Sequence, residues 1–258
     1  MRLLYPCDDF DRKQPDETYQ EEYIAAKTVG LSCSLYSVED FELGNLVPRP
    51  AFFEGEEIIY RGWMLTPSAY GDMYSSIESK GGKPITSTEQ YRYCHYLPEW
   101  YESCEDFTPK TLFCDKNSEF ELILSNCNWD KYFIKDYVKS LTTNRGSIAK
   151  TIAEIHEIIH LIERFKGRIE GGICIRQFEN FVPETEERYF VFKGKAFSRN
   201  GTVPTIVETI ASRINSPFFS VDIISTTNGD LRLIELGDGQ VSDYKKWQPD
   251  DFVKIFKS

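Results

Sequence analysis

Residues 231–240 read LRLIELGDGQ. Leu231 to Leu236 alternates apolar side chains with Arg232 and Glu235, the period-two pattern of a strand with one buried face. The dipeptide Asn228-Gly229 just upstream is the strongest short hairpin signal in the chain, because both residues tolerate the turn's positive φ. It joins this strand to the apolar run Phe218 to Ile224, which carries Asp222. The hairpin thus places Asp222 and Glu235 on neighbouring strands, where they can face each other. A carboxylate inside an apolar strand is costly unless paired or metal-bound. Two of them make an oxygen-ligand site suited to Mg²⁺, which takes few protein ligands and completes its shell with phosphate oxygens. Gly237 and Gly239 would let backbone come close to such a ligand.

Basic residues stand at the ends of the preceding hydrophobic runs. Lys135 follows Tyr132-Phe133-Ile134, and Lys139 lies four residues on. Arg176 and Gln177 close the run from Gly172 and lead into Phe178-Glu179, and Arg188 sits within Glu187 to Phe192. Lysine and arginine beside a Mg²⁺ site would balance phosphate charge. Between these runs lies a polar stretch, Ser140 to Ser147, with the turn Asn144-Arg145-Gly146. The longest expected helix follows, Ile148 to Lys166, with the stripe Ile148, Ile152, Ile155, Ile159 and Ile162 and a stop at Gly167. Antiparallel strands are expected to dominate the C-terminal half.

The first half alternates strands and helices, the pattern of an α/β domain. Strands are expected at Leu3 to Tyr5, Leu31 to Tyr36, Glu56 to Leu65 and Pro84 to Thr86. Helices are expected at Asp16 to Val29, Ala69 to Ser79 and Ser87 to Ser103. The chain of 258 residues carries a net charge of −11, which argues against a nucleic-acid partner. The charge is uneven. Residues 1–130 hold 11 Lys and Arg against 24 Asp and Glu, whereas residues 131–258 hold 19 against 17. Such a sign asymmetry can mark two jobs, or simply an acidic, solvated surface on the first half, and composition alone favours the latter.

Taken in order, these motifs resemble the ATP-grasp superfamily, and within it the clade named for one arginine and two lysines. That clade has as a relative the eukaryotic chaperone that assembles a translation initiation factor. The words carrying the resemblance are YRGWML (Tyr60 to Leu65), YFIKDYVKS (Tyr132 to Ser140), ERYFVF (Glu187 to Phe192) and LIELGDGQVSDY (Leu233 to Tyr244). The resemblance implies an α/β fold with α+β character in the C-terminal half: a pre-ATP-grasp α/β domain at 1–130 and a grasp core at 131–258. It implies ATP and Mg²⁺ as cofactors, and a ligase that activates a carboxylate as an acyl-phosphate for attack by an amine or thiol, with a peptide or protein among the possible substrates. Carried over by position, Lys135, Lys139, Arg145 and Arg176 would meet ATP. Gln177, Phe178 and Glu179 would form the hinge that reads adenine and ribose. Arg188 and Arg61 would act on the reacting phosphate or acceptor, and Asp222, Glu235 and Asp238 would bind metal. The family places an Asn two residues after the Glu; Gly237 stands there, and Asp238 is the substitute.

Two other readings compete. The chain could bind ATP as an assembly chaperone or partner-binding protein without ligating anything. Alternatively His156-Glu157-Ile158-Ile159-His160 matches H-E-x-x-H, the zinc-protease helix, with Glu179 available as a third ligand. Seven cysteines, with no C-x-x-C pair, suggest reduced thiols and a cytoplasmic location. The N-terminus lacks the long apolar run of a signal peptide, and no apolar stretch reaches membrane-spanning length.

Overall fold

In the computed structural model, which describes residues 1–138, 140 and 144–257, the first sheet is parallel, as the strand–helix alternation requires. Its strands are β1 (Arg2–Pro6), β2 (Ser32–Tyr36), β3 (Glu56–Tyr60) and β4 (Gly82–Pro84), in the order β2-β1-β3-β4. The second sheet contains β5 (Thr111–Cys114), β6 (Tyr132–Asp136), β7 (Ile148–Ala149) and β8 (Ile173–Gln177), in the order β5-β8-β6-β7 with antiparallel pairings throughout. The third contains β9 (Phe181–Phe192), β10 (Lys195–Phe197), β11 (Phe218–Thr226) and β12 (Leu231–Asp238), in the order β10-β9-β11-β12. The connecting helices are α1 (Gln20–Thr28), α2 (Val38–Glu42), α3 (Pro67–Ser79), α4 (Thr88–His95), α5 (Leu97–Cys104), α6 (Phe120–Leu124), α7 (Ile152–Lys166), α8 (Thr205–Arg213) and α9 (Pro249–Lys254).

Two compact units result. The first comprises residues 1–94, 187–221 and 237–258, and the second residues 95–186 and 222–236. The chain passes between units at the end of α4 and inside β9, β11 and β12. The charge asymmetry does not follow these units. The first holds 18 Lys and Arg against 22 Asp and Glu, and the second 12 against 19, so the second is the more acidic.

In the first unit β1 is fully buried, and Leu3 and Tyr5 share a core with Phe190, Phe192, Phe218, Phe252 and Phe256. A second cluster gathers Tyr36, Tyr60, Tyr70 and Tyr91, with Tyr70 and Tyr91 stacked at 3.9 Å. In the second unit Ile155, Ile158, Ile159 and Ile162 of α7 pack on Ile134, Ile173 and Ile175 of the sheet. Each buried aliphatic side chain contributes about 1.5–3 kcal/mol.

Element boundaries differ from the sequence reading for identifiable reasons. The long helix begins at Ile152, because Thr151 and Glu154 form a capping box. Ile148 instead lies in β7 and is exposed. The expected helix over Ser87 to Ser103 is two helices broken at Tyr96, since Pro98 lacks the N–H to carry one helix through. Strand β3 stops at Tyr60, where Arg61 turns into the interior. The hairpin forms as read, with Gly229 at φ 91° and the Thr226 N–H donating to the Asp230 carbonyl at 2.8 Å.

Candidate functional site

The strand ends of the second unit surround a cleft of about 410 Å³. Lys135 comes from β6, Arg176 and Gln177 from β8, Phe178 and Glu179 from the chain just beyond β8, and Glu235 from β12. Six of the residues singled out from sequence thus share one cavity. Its apolar walls include Phe133, Ile148, Phe181 and Ile234. This combination of apolar walls and a few convergent charges is the usual make-up of a small-ligand site.

The charged groups are held in different ways. Lys135 is only 5% exposed. Its ammonium donates to the Val138 carbonyl at 3.2 Å and sits 3.7 Å from Glu235, whose side chain is 44% exposed. Arg176 is equally buried; it donates to Thr108 Oγ1 at 2.6 Å and the Ile234 carbonyl at 3.0 Å, and its Nε has no partner among the described residues. Burial pulls its pKa below the usual guanidinium value. Glu179 is gripped by Arg232 through two hydrogen bonds of 2.8 and 2.9 Å. The backbone N–H groups of Gln177 and Phe178 are committed to the Lys110 and Lys131 carbonyls.

The remaining expected site residues are placed otherwise. Lys139 lies outside the described residues. Arg145 is not in the cleft lining; it pairs with Glu157 at 2.9 Å and donates to the Ile148 carbonyl. Asp222 is buried at 1% exposure and is not in the lining. Arg188, Arg61 and Asp238 belong to the first unit. Arg188 donates to the carbonyl and carboxylate of Asp243 at 2.9 and 3.0 Å.

Arg61, which the resemblance assigns to the reacting phosphate or acceptor, is enclosed within the first unit. It is 1% exposed. Its Nε and Nη2 hold the two oxygens of Glu22, and its Nη1 reaches the carbonyls of Gly239, Gln240 and Ser242. Burial opposes its charge, but Glu22 more than offsets this and keeps its pKa above the ordinary value. Gly237 near the end of β12 and Gly239 just beyond it are likewise closely approached by protein, a Cβ on Gly237 lying 2.9 Å from Ser220 Oγ. A Cβ on Gly239 would sit 2.5 Å from the Phe218 ring, so the approach that requires glycine is to protein.

Among the described residues, no group of three or more His, Cys, Asp or Glu is arranged to hold a metal ion. Of the carboxylates that the resemblance assigns to metal, Glu235 lines the cleft. His156 and His160 of the H-E-x-x-H helix belong to no such group of three among the described residues. His156 and His160 lie on the exposed flank of α7, and Glu157 is engaged by Arg145. Mg²⁺ bound through phosphate needs only one or two carboxylates, and Glu235 on the cleft wall meets that lesser requirement. Sequence reading missed Thr108 and Arg232, whose roles depend on partners 50 or more positions away. Arg232 was visible only as the polar member of an alternating strand.

The three sheets and this cleft define an ATP-grasp protein. Residues 125–255 match the model of the family described as ATP-grasp domain, R2K clade family 3, and the chain belongs to that family. No curated protein matches it in sequence. Similar solved structures include the macrocyclase MdnC from Microcystis aeruginosa bound with its precursor peptide, at 11% identity and TM-score 0.64 over 100% of both chains. The ATP-grasp ligase PsnB, complexed with a minimal precursor, Mg and ADP, matches at 12% identity and TM-score 0.61 over 99% of this chain and 96% of that one. D-alanyl-alanine synthetase A from Vibrio cholerae matches at 13% identity and TM-score 0.61, over 100% and 96%. At these identities the likeness is one of fold. The expected ATP-grasp fold and family are borne out. Among the described residues, no helix is long and apolar enough to cross a membrane.

Proposed function

We propose that this chain is an ATP- and Mg²⁺-dependent ligase that joins a carboxylate to an amine or thiol, with ATP held in the cleft of the second unit. The observation that carries this reading is the convergence of Lys135, Arg176, Gln177, Phe178, Glu179 and Glu235 on one cavity. They are the residues to which family resemblance assigns nucleotide and metal contacts. Bound Mg-ATP would supply a phosphoryl group to activate the carboxylate as an acyl-phosphate, which the amine or thiol would then displace. The protein's share is positioning and charge neutralisation. The buried Lys135 ammonium and Arg176 guanidinium present positive charge that phosphate oxygens can accept from. Phe178 and the apolar walls receive a base, and Glu179, an acceptor-only group, can take hydrogen bonds from ribose hydroxyls. Glu235 would supply a metal carboxylate, with Asp222 the second candidate in the same unit.

The related solved structures act on amino acids or peptide precursors, which supports a carboxylate donor and an amine or peptide acceptor here. The test is calorimetric titration of Mg-ATP into wild type, Lys135→Ala and the double variant Asp222→Ala/Glu235→Ala. Mg-dependent binding that weakens at least tenfold in both variants is expected. Absent binding in wild type, or equal binding in all three, overturns the reading. Phosphate release that appears only when a carboxylate and an amine are both added would then establish ligation.

A further inference from the structure

Arg232 is absent from the cleft lining, yet it determines how one lining residue presents itself. Its Nη2 donates to Glu179 Oε1 at 2.8 Å and to the Thr108 carbonyl at 2.8 Å; its Nε donates to Glu179 Oε2 at 2.9 Å, and its Nη1 to the Asp106 carbonyl at 3.2 Å. Both side chains are largely buried. We infer that Arg232 is a positioning residue that fixes the Glu179 carboxylate in the orientation from which it reads the sugar hydroxyls of a nucleotide.

The argument rests on geometry. A glutamate just beyond a strand end has three rotatable bonds, and ordering them on ligand binding opposes that binding. The planar guanidinium fork removes that freedom beforehand and sets the plane of the carboxylate. Arg232 takes one acceptor position on each oxygen. An ionised carboxylate has about four such positions, so two remain for donors in the cleft. Arg232 is itself held by the 106–108 segment. That segment is tied again by Thr108 Oγ1, which donates to the Leu233 carbonyl at 2.7 Å and accepts from Arg176. A lysine at position 232 could keep the charge but could not span both oxygens and both carbonyls.

This inference rests on the ATP reading of the cleft, and the experiment separates the two. Affinities of Mg-ATP and Mg-2′,3′-dideoxy-ATP are measured for wild type, Glu179→Gln, Arg232→Lys and Arg232→Gln, with thermal melting to show that each variant is folded. Wild type is expected to prefer ATP about tenfold, the scale of one charge-assisted hydrogen bond. Arg232→Gln and Arg232→Lys are expected to lose most of that preference while binding the dideoxy nucleotide within twofold of wild type. Glu179→Gln should behave as they do. A purely structural role would weaken both nucleotides alike, and that result overturns the inference. So does a wild-type preference retained in Arg232→Lys, the variant least disturbing to folding. Equal affinity of wild type for the two nucleotides also overturns it, whereas failure of wild type to bind either removes the ATP reading itself.

Discussion

Arg61 and Glu22 form a two-pronged ion pair inside the first unit, Nε to Oε1 at 2.7 Å and Nη2 to Oε2 at 2.6 Å, both side chains almost wholly shielded from water. The same guanidinium lies 4.8 Å over the Phe252 ring and caps three carbonyls of the segment after β12. Removing one member of such a pair strands the other charge, at about 3–5 kcal/mol. Glu22→Ala and Arg61→Ala are therefore expected to lose that much unfolding free energy in urea titrations. Arg61→Lys should also be destabilised, because an ammonium cannot reproduce the fork. Were Arg61 instead a ligand contact, Arg61→Lys would keep its urea midpoint and lose only binding.

Lys135 and Glu235 form a contrasting pair. Glu235 is open to solvent and the separation is 3.7 Å, so the pair adds little to folding. The buried Lys135 ammonium keeps its hydrogen bond to the Val138 carbonyl when the carboxylate is removed. Glu235→Gln should leave the melting temperature nearly unchanged while weakening the Mg²⁺ dependence of nucleotide binding. A large drop in melting temperature, with Mg²⁺ dependence intact, would assign Glu235 to structure instead.

The legibility of this chain in its sequence follows the range of the interactions. The hairpin at Asn228-Gly229, the α7 stop at Gly167 and the buried strand at Leu3 to Tyr5 are set by neighbours within a few residues, and they were readable. Residues 104–131, which contain β5 and α6, show neither clear period, and their fit depends on packing against β8 and α7. Lys135, Arg176 and Glu235 stood out because each charge lies in or at the end of an apolar run, whereas Gln177, Phe178 and Glu179 were given their roles by the family resemblance. The true setting of Arg61 was not legible, because Glu22 lies 39 positions away and the carbonyls it caps lie about 180 away. The same distance hides Arg232, whose partner Glu179 is 53 positions upstream. The return of the chain to the first unit at residues 187 and 237 has no counterpart in local composition.

The start of α7 supplies a local stability prediction. Thr151 Oγ1 accepts from the Glu154 N–H, and the Glu154 carboxylate accepts from the Thr151 N–H at 3.1 Å. Thr151→Ala should cost about 1 kcal/mol, the usual loss for an N-cap side chain. Thr151→Ser should be near neutral, since it keeps the oxygen. Denaturant midpoints at constant slope check both, and equal stability of Thr151→Ala and wild type would remove the cap's assigned role.

Asp238 gives the chain a pH dependence of unusual sign. Its Oδ1 accepts from the N–H and side-chain amide of Gln240 at 3.0 and 3.1 Å, while Oδ2 has no partner among the described residues. Burial raises its pKa to about 7, although the Gln240 hydrogen bonds and Arg61 pull the other way. The unfolded chain should titrate this group near 4. Between those values the folded state holds a proton that the unfolded state has lost, so rising pH favours unfolding. The Asp238 contribution is fully present below about pH 4 and lost as pH rises through about 7, at roughly 1.4 kcal/mol per pH unit across the window. Asp238→Asn keeps the Oδ1 acceptor and removes the titration. Unfolding free energies of wild type and Asp238→Asn, measured at half-unit steps from pH 4.5 to 8, should diverge progressively in favour of the variant up to about pH 7 and then run parallel. A constant offset over that range would show that Asp238 is ionised in the folded protein throughout.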